Sequence, residues 1–137
     1  MADFDTAYAI TRIHEGGYVN NPKDTGGETY KGVSRKNNPG WAGWAIIDEQ
    51  KQKPGFPGNL KSRTAELDPL VRQLFKANYW DVVWGDRILH QKVANDLFDF
   101  AINAGPAVSI RKAEKQFGMK ETGRMSADLL TRLNAIV

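Results

Sequence analysis

Residues 15–33 read EGGYVNNPKDTGGETYKGV and mark the change from a helical pattern to turns and short strands. Before them, apolar residues recur at helical intervals, which predicts a helix over residues 3–15 capped by Asp3 or Asp5. Two glycines, at positions 16 and 17, end that pattern. Glu15 therefore falls on the last turn of the predicted helix, where the negative end of the helix dipole disfavours an ionised carboxylate.

The sequence after the two glycines is typical of a β-hairpin. Turn-forming residues fill 20–27, and residues 29–33 have the pattern of a short strand. Asp24 stands nine positions after Glu15, and Thr29 follows five positions later. Glycoside hydrolysis requires a protonated acid at the leaving oxygen and a second group that handles water or the developing cation. We therefore expect the hairpin to lie beside the first helix and to face Glu15.

The remainder of the chain is mostly helical in pattern. Residues 35–66 are the hardest to interpret, and Pro54–Gly58 is incompatible with a helix interior. The predicted elements are a helix near 40–51, a helix that begins at an Asp68 cap followed by Pro69, a central buried helix over 91–104 that ends at Gly105 and Pro106, and shorter helices near 107–117 and 126–136, the last capped by Ser126.

Composition excludes several classes of protein. The chain has 137 residues, no cysteine and a net charge of +3, so disulfides, thiolate metal sites and cysteine nucleophiles are excluded. The two histidines are far apart and form no metal motif, so we expect neither metal nor cofactor. No apolar run reaches the roughly 20 residues that span a bilayer, and the N-terminus lacks the pattern of a signal peptide. We expect a monomer without stable membrane insertion.

Two parts of the sequence resemble a known family. The pattern Glu-Gly-Gly-Tyr at 15–18, then Asn-Pro-x-Asp-x-Gly-Gly-x-Thr-x-x-Gly-Val at 21–33, resembles the signature of glycoside hydrolase family 108. That family contains phage endolysins and secretion activators. The resemblance continues in Asn78–Asp81 and in 96–106, where the sequence looks like the start of the peptidoglycan-binding region that follows the catalytic segment in this family. It implies a lysozyme-like catalytic segment over 1–90 and a helical peptidoglycan-binding segment over 91–137, packed in one globule.

The resemblance implies a mainly α, lysozyme-like fold with a small β-hairpin beside the catalytic helix. It also implies an N-acetylmuramidase, which cleaves the β-1,4 bond between N-acetylmuramic acid and N-acetylglucosamine. Glu15 would be the general acid, Asp24 would steer a water or stabilise the oxocarbenium-like state, and Thr29 would hold that water. Phage-type lysozymes keep the same spacing of Glu15 and Asp24, whereas Thr29 falls one position earlier here, so that Tyr30 is a neighbour able to share its role.

Three other residues are candidates for substrate binding. Tyr18 and Tyr30 flank the acid in sequence and have rings that can stack on sugars, although aromatic residues more often belong to a core. Asn103 stands just before a helix end and has an amide able to donate to an N-acetyl group, although a plain helix-terminal role is as reasonable.

Several alternatives remain open from the sequence. A lytic transglycosylase needs only one catalytic glutamate and forms an anhydro product, so that Asp24 and Thr29 would be structural. A wall-binding module without catalysis would also suit the basic charge. A DNA-binding helix-turn-helix in the last two helices is disfavoured, because residues 126–136 carry Arg132 as their only cation. We therefore expect peptidoglycan as partner and no nucleic acid.

The biological setting follows from the same resemblance. We expect a bacteriolytic protein of the phage-endolysin kind that is made in the cytoplasm and acts on the periplasmic or extracellular wall. Without a signal peptide, delivery would require a holin or a secretion apparatus.

Overall fold

The computed structural model describes residues 1–11, 17–23 and 27–136. Contacts divide the chain into two compact units, one formed by Met1–Thr11 with Phe75–Val137 and the other by Arg12–Leu74. The architecture is mainly α with a small antiparallel sheet, as predicted. The predicted boundary between a catalytic segment over 1–90 and a peptidoglycan-binding segment over 91–137 does not coincide with the boundary between these units. It stays a prediction. None of the helices in the described ranges is long and apolar enough to cross a membrane.

The sheet belongs to the second unit and has three strands. They are β1 (Tyr18–Asn20), β2 (Glu28–Tyr30) and β3 (Val33–Ser34), antiparallel in the order β1-β2-β3. The predicted hairpin is therefore present, but the single strand predicted over 29–33 is wrong. Lys31 and Gly32 have φ values of 46° and 86°, the pair of positive angles that defines a tight hairpin turn between two strands.

Helix α2 follows the sheet and covers Gly43–Lys51, close to its prediction. Trp44 and Ile47 are buried on the same face of this helix. The indole nitrogen of Trp44 donates to the backbone oxygen of Asn38 at 2.8 Å, which satisfies its polar atom inside the core. A short 3-10 helix, Gly58–Arg63, leads from the proline-rich loop into the next helix.

Helix α3 covers Thr64–Phe75, so the predicted start at Asp68 and Pro69 is wrong. Pro69 lies inside the helix. The reason is the apolar stripe, because Leu67 is fully buried and precedes the proline, while Val71 and Leu74 continue the same face. Burial of this stripe outweighs the backbone hydrogen bond that proline removes near the start of a helix.

The other unit contains the first helix and the C-terminal helices. Helix α1 covers Phe4–Ile10, and the Asp3 carboxylate accepts from the Thr6 amide as the predicted cap. Thr11 already has extended backbone. The predicted continuation of this helix to Glu15 lies outside the described residues. After α3 the chain continues as a π-helical turn, Lys76–Trp80, and a 3-10 turn, Gly85–Arg87.

Three helices complete this unit: α4 (Gln91–Ala104), α5 (Pro106–Gln116) and α6 (Ala127–Asn134). Their bounds agree with the sequence predictions, and Ser126 caps α6 through the Leu129 amide. Helix α4 is not buried all round, however. Phe98 packs on Phe4 and Trp80 with ring centroids 5.7 and 5.5 Å apart, while Asp96 and Asp99 on the opposite side are exposed. It is an amphipathic helix, with one face in the core.

Candidate functional site

The six residues predicted to form the site fall in three places. Glu15 and Asp24, the two candidate carboxylates, lie outside the described residues. Tyr18, Thr29 and Tyr30 lie on the sheet. Asn103 lies in the last turn of α4, in the other unit.

Strand register divides the sheet residues between two faces. Tyr18 pairs with Tyr30 and Val19 pairs with Thr29 across β1 and β2. Because side chains alternate along a strand, both tyrosines point to one face while Thr29 points to the other. Tyr30 and Thr29 therefore lie on opposite faces of the sheet, and the expectation that the two share a role stays a prediction.

The face that carries the tyrosines is anchored to α2 by charged groups. The Glu28 carboxylate accepts from the Tyr18 hydroxyl at 2.6 Å and pairs with the Lys51 ammonium at 2.5 Å and the Arg35 guanidinium at 3.1 Å. Arg35 also makes a bidentate pair with Asp48, at 2.8 and 2.7 Å. These five residues, the Glu28 cluster, tie β1 and β2 to α2 through groups that compensate each other's charge.

The cluster fixes the protonation of its members. Burial raises the pKa of Glu28, but hydrogen bonds from Lys51, Tyr18 and Arg35 outweigh that effect and leave the pKa below its ordinary value. Burial, followed by the hydrogen bond to Glu28, raises the pKa of Tyr18. Hydrogen bonds from Arg35 lower the pKa of Asp48 to about 2. Glu28 is therefore an ionised structural anchor and unsuited to act as a proton donor near neutral pH.

Both tyrosines are engaged in packing. Tyr30 is 4% exposed, and its ring stacks near Trp41 with centroids 6.4 Å apart. The half-buried ring of Tyr18 meets Phe56 edge-on at 4.8 Å. Their assignment to substrate binding stays a prediction, and the contacts of the described residues give each of them a place in the packing of the sheet.

The opposite face of the sheet carries an uncharged row. It consists of Val19, Thr29 and Ser34, which are paired across the three strands. Val19 is 50% exposed, and Thr29 and Ser34 are partly exposed. Of the predicted residues on the sheet, Thr29 alone faces this side. Thr29 thus lies in a row of uncharged side chains and is itself partly exposed.

Asn103 is exposed on α4, and its amide nitrogen donates to the backbone oxygen of Asp99 at 2.9 Å. This bond within the helix uses one amide proton and leaves the side chain at the surface. A role in substrate binding stays a prediction. Within the described ranges, no group of three histidine, aspartate or glutamate side chains is placed to hold a metal ion.

Removal of the Lys51 ammonium should destabilise the protein measurably. Lys51→Met deprives the Glu28 carboxylate, whose side chain is 12% exposed, of its closest cation. We expect a loss of about 1–2 kcal/mol in the free energy of unfolding at pH 7, measured by urea denaturation. Lys53→Met is the matched control, because Lys53 pairs with Glu49 on the surface at 3.5 Å with both side chains 54% exposed. That change should cost little.

The same comparison should depend on pH. Glu28 and Asp48 have pKa values below their ordinary ones, so folding favours their ionised forms. Their contribution is complete above the ordinary values, near pH 4, and is lost as the pH falls toward 2. The difference between Lys51→Met and the unmutated chain should therefore shrink over that interval. A difference that stays constant down to pH 2 would show that lost packing, and not charge, causes the effect.

Comparison with known proteins decides the family. The family model described as Glycosyl hydrolase 108 matches residues 8–105, which is most of the chain. The chain belongs to this family. The match includes positions 15, 24, 29 and 103, and it therefore covers both candidate carboxylates, Thr29 and Asn103.

A solved structure supports the family 108 assignment. The SagA protein of Brucella abortus is 28% identical over 98% of this chain and 70% of its own, with a TM-score of 0.65. The predicted mainly α, lysozyme-like fold is thereby confirmed. A comparison with curated proteins finds no match. Family 108 membership makes the chain a glycoside hydrolase that acts on peptidoglycan.

The Glu28 cluster could not be predicted from the sequence. Glu28 stands directly before Thr29, but its partner on α2, Lys51, is more than twenty positions away along the chain, and no local spacing signals this pair. The available clue was the alternation of side chains along β2, because a carboxylate directly before Thr29 must point to the other face. Neighbouring residues of β2 therefore differ in role: Glu28 anchors the strand, whereas Thr29 is a candidate for catalysis.

Proposed function

We propose that this family 108 glycosidase is an N-acetylmuramidase, which hydrolyses the β-1,4 bond between N-acetylmuramic acid and N-acetylglucosamine. The observation that carries the proposal is the family match over residues 8–105, which contains Glu15 and Asp24 at the spacing of phage-type lysozymes and Thr29 one position earlier than in that pattern. Family membership supports cleavage of a glycosidic bond in peptidoglycan, and the spacing supports the choice of bond and of residues.

In the proposed reaction, Glu15 donates its proton to the glycosidic oxygen as the bond from that oxygen to the anomeric carbon breaks. Asp24 stays ionised and either steers the attacking water or stabilises the oxocarbenium-like sugar. The water oxygen then bonds to the anomeric carbon, and its proton leaves to a carboxylate. Two carboxyl groups with different protonation states are what this chemistry requires.

The sheet supports the role given to Thr29. Its side chain points away from the Glu28 cluster, to the neutral face that it shares with Val19 and Ser34. A hydroxyl there is able to hold a water or contact a sugar. The anchoring of β2 through Glu28, one position earlier, holds the backbone that carries this hydroxyl.

The helical segment over 91–137 is proposed to contact the wall polymer. A groove of about 320 Å³ lies among α4, α5 and α6, and its apolar lining includes Val93, Leu97 and Phe100. The Lys112 ammonium lies 4.2 Å from the centroid of the Phe100 ring. An apolar floor beside a cation is compatible with an anionic peptide or glycan. In α6, Arg132 pairs with Asp128 at 3.3 Å, which gives no support to nucleic-acid binding.

Analysis of the products tests the proposed activity. Digests of purified sacculi should contain fragments whose new reducing ends are N-acetylmuramic acid, identified by mass spectrometry before and after borohydride reduction. Anhydro-muramic ends would instead establish a lytic transglycosylase, and reducing N-acetylglucosamine ends a glucosaminidase. Binding to sacculi without any soluble fragment would establish the wall-binding module. Each of these three outcomes contradicts the muramidase.

The proposed setting is a bacteriolytic enzyme of the phage-endolysin kind, acting on the wall in the periplasm or outside the cell. Delivery by a holin or a dedicated secretion apparatus is part of that proposal. The cytoplasmic synthesis and external target would be tested by locating the protein in fractionated cells before and after lysis.

A further inference from the structure

Val19 is an apolar side chain in an unusual position. It is 50% exposed on β1, which forms one edge of the three-stranded sheet. Edge strands commonly present polar or charged residues to solvent, because exposed apolar edges promote association. Its neighbours along the strand, Tyr18 and Asn20, point to the anchored face. Val19 thus stands out as the apolar member of the neutral row.

Its position relative to Thr29 is fixed by the strand register. The two residues are direct partners across β1 and β2, so their Cβ atoms lie about 5 Å apart on the same face. Ser34 continues the row on β3, opposite Thr29. The row therefore places the methyl groups of valine directly beside the Thr29 hydroxyl, and the Ser34 hydroxyl beyond it accepts from the Asn37 amide at 3.4 Å.

An apolar side chain beside a hydroxyl matches the chemistry of an acetamido group. Such a group carries a methyl at one end and an amide at the other, and it has no charge. A methyl placed against Val19 would be removed from water, while the amide would lie within reach of hydroxyl groups able to donate or accept. Both sugars of peptidoglycan carry this substituent, so the substrate class of the family supplies the matching chemistry.

We propose that Val19 is a substrate-contacting residue that holds the methyl of an N-acetyl group on the sugar bound beside Thr29. The inference rests on the proposed function, because it takes the Thr29 face as the substrate side of the sheet. It goes further by making the enzyme selective for N-acetylated peptidoglycan and by naming the residue that senses this substituent.

The test is the variant Val19→Thr, which keeps the shape and strand preference of valine but replaces a methyl by a hydroxyl. Two forms of one sacculus preparation serve as substrates: one is de-N-acetylated, and the other is the same material re-acetylated with acetic anhydride. On the re-acetylated form the variant should show a KM raised roughly three- to tenfold with little change in kcat. On the de-N-acetylated form its KM should match that of the unmutated chain.

Val82→Thr is the matched control, because Val82 is 42% exposed and lies outside both the sheet and the segment 91–137. It should behave as the unmutated chain on both substrates. An equal loss by Val19→Thr on both forms, or no loss on either, would overturn the proposal. Thermal unfolding of both variants identifies a loss that comes from misfolding.

A second measurement separates failure of this proposal from failure of the proposed function. Co-sedimentation with the two sacculus forms reports binding without catalysis. If the unmutated chain binds but does not cleave, the proposed activity fails, and selective weakening of Val19→Thr on the re-acetylated form still supports the contact. If the chain neither binds nor cleaves either form, both proposals fail.

Discussion

Replacement of Glu15 by glutamine should lower the turnover of purified sacculi roughly 10³-fold, within the range of general acid catalysis. Glutamine has nearly the same shape but carries no acidic proton, so the leaving oxygen would depart as an alkoxide. The initial rate of turbidity loss and the release of soluble fragments measure the effect. Circular dichroism and the thermal midpoint should be unchanged, because the substitution removes a proton donor and little volume.

Glu121→Gln is the matched control, since Glu121 is an exposed glutamate that lies beyond the residues matched by the family model and does not line the groove among α4, α5 and α6. It makes the same chemical change at a surface position and should retain full activity. A Glu15→Gln variant that clears sacculi at the normal rate would remove Glu15 from the mechanism. An equal loss of activity in both variants would instead indicate a fault in the protein preparations or a loss of protein stability.

Asp24→Asn is expected to have the second largest effect, a loss of roughly 10²-fold in kcat with a smaller change in KM. The amide keeps the size of the carboxylate but cannot stabilise a developing positive charge or take a proton from water. The effect should be smaller than that of Glu15→Gln, because the acid still assists bond cleavage. A variant with normal kcat would leave Asp24 with the structural role that a lytic transglycosylase implies.

Comparison with Thr29→Val sharpens this prediction. If Asp24 and Thr29 hold one water, the double variant should be hardly slower than Asp24→Asn alone, because the second substitution removes a contact that is already lost. A rate loss in the double variant equal to the product of the two single losses would show that the two side chains act independently. Thr29→Ser, which keeps the hydroxyl, should be close to the unmutated chain and separates the loss of the hydroxyl from repacking of the strand.

The helices after residue 90 could be predicted from the sequence because their signals are local. Gly105 and Pro106 separate α4 from α5, and Ser126 caps α6. A few neighbouring residues are therefore enough to predict where these helices begin and end. The start of α3 could not be predicted in this way. Pro69 favours a helix that begins there, whereas the burial of Leu67 requires a helix that begins earlier. That burial depends on what the helix packs against, which the local sequence does not show.

The site was only partly predictable for a similar reason. The motif indicates which residues carry chemistry, but not which face of the sheet each side chain occupies. That depends on the two-residue turn at Lys31 and Gly32, which divides the expected strand and sets its register. Buried charges are equally hidden in a sequence: Glu114 on α5 is 2% exposed and accepts from Thr122 and Gly123, contacts that no spacing foretells.

The alternation along β2 also limits how this enzyme can change. Glu28 and Tyr30 secure the strand, whereas Thr29 between them is the residue proposed to meet the substrate. On that proposal, mutations that change specificity and mutations that destabilise the fold fall on alternate residues of the strand. Substitutions at position 29 or 19 can be explored without disturbing the anchor. A one-residue insertion within β1 or β2 would turn the anchoring side chains and the side chains at positions 19 and 29 to the opposite faces of the sheet. The anchor and the proposed substrate contacts would then be lost together.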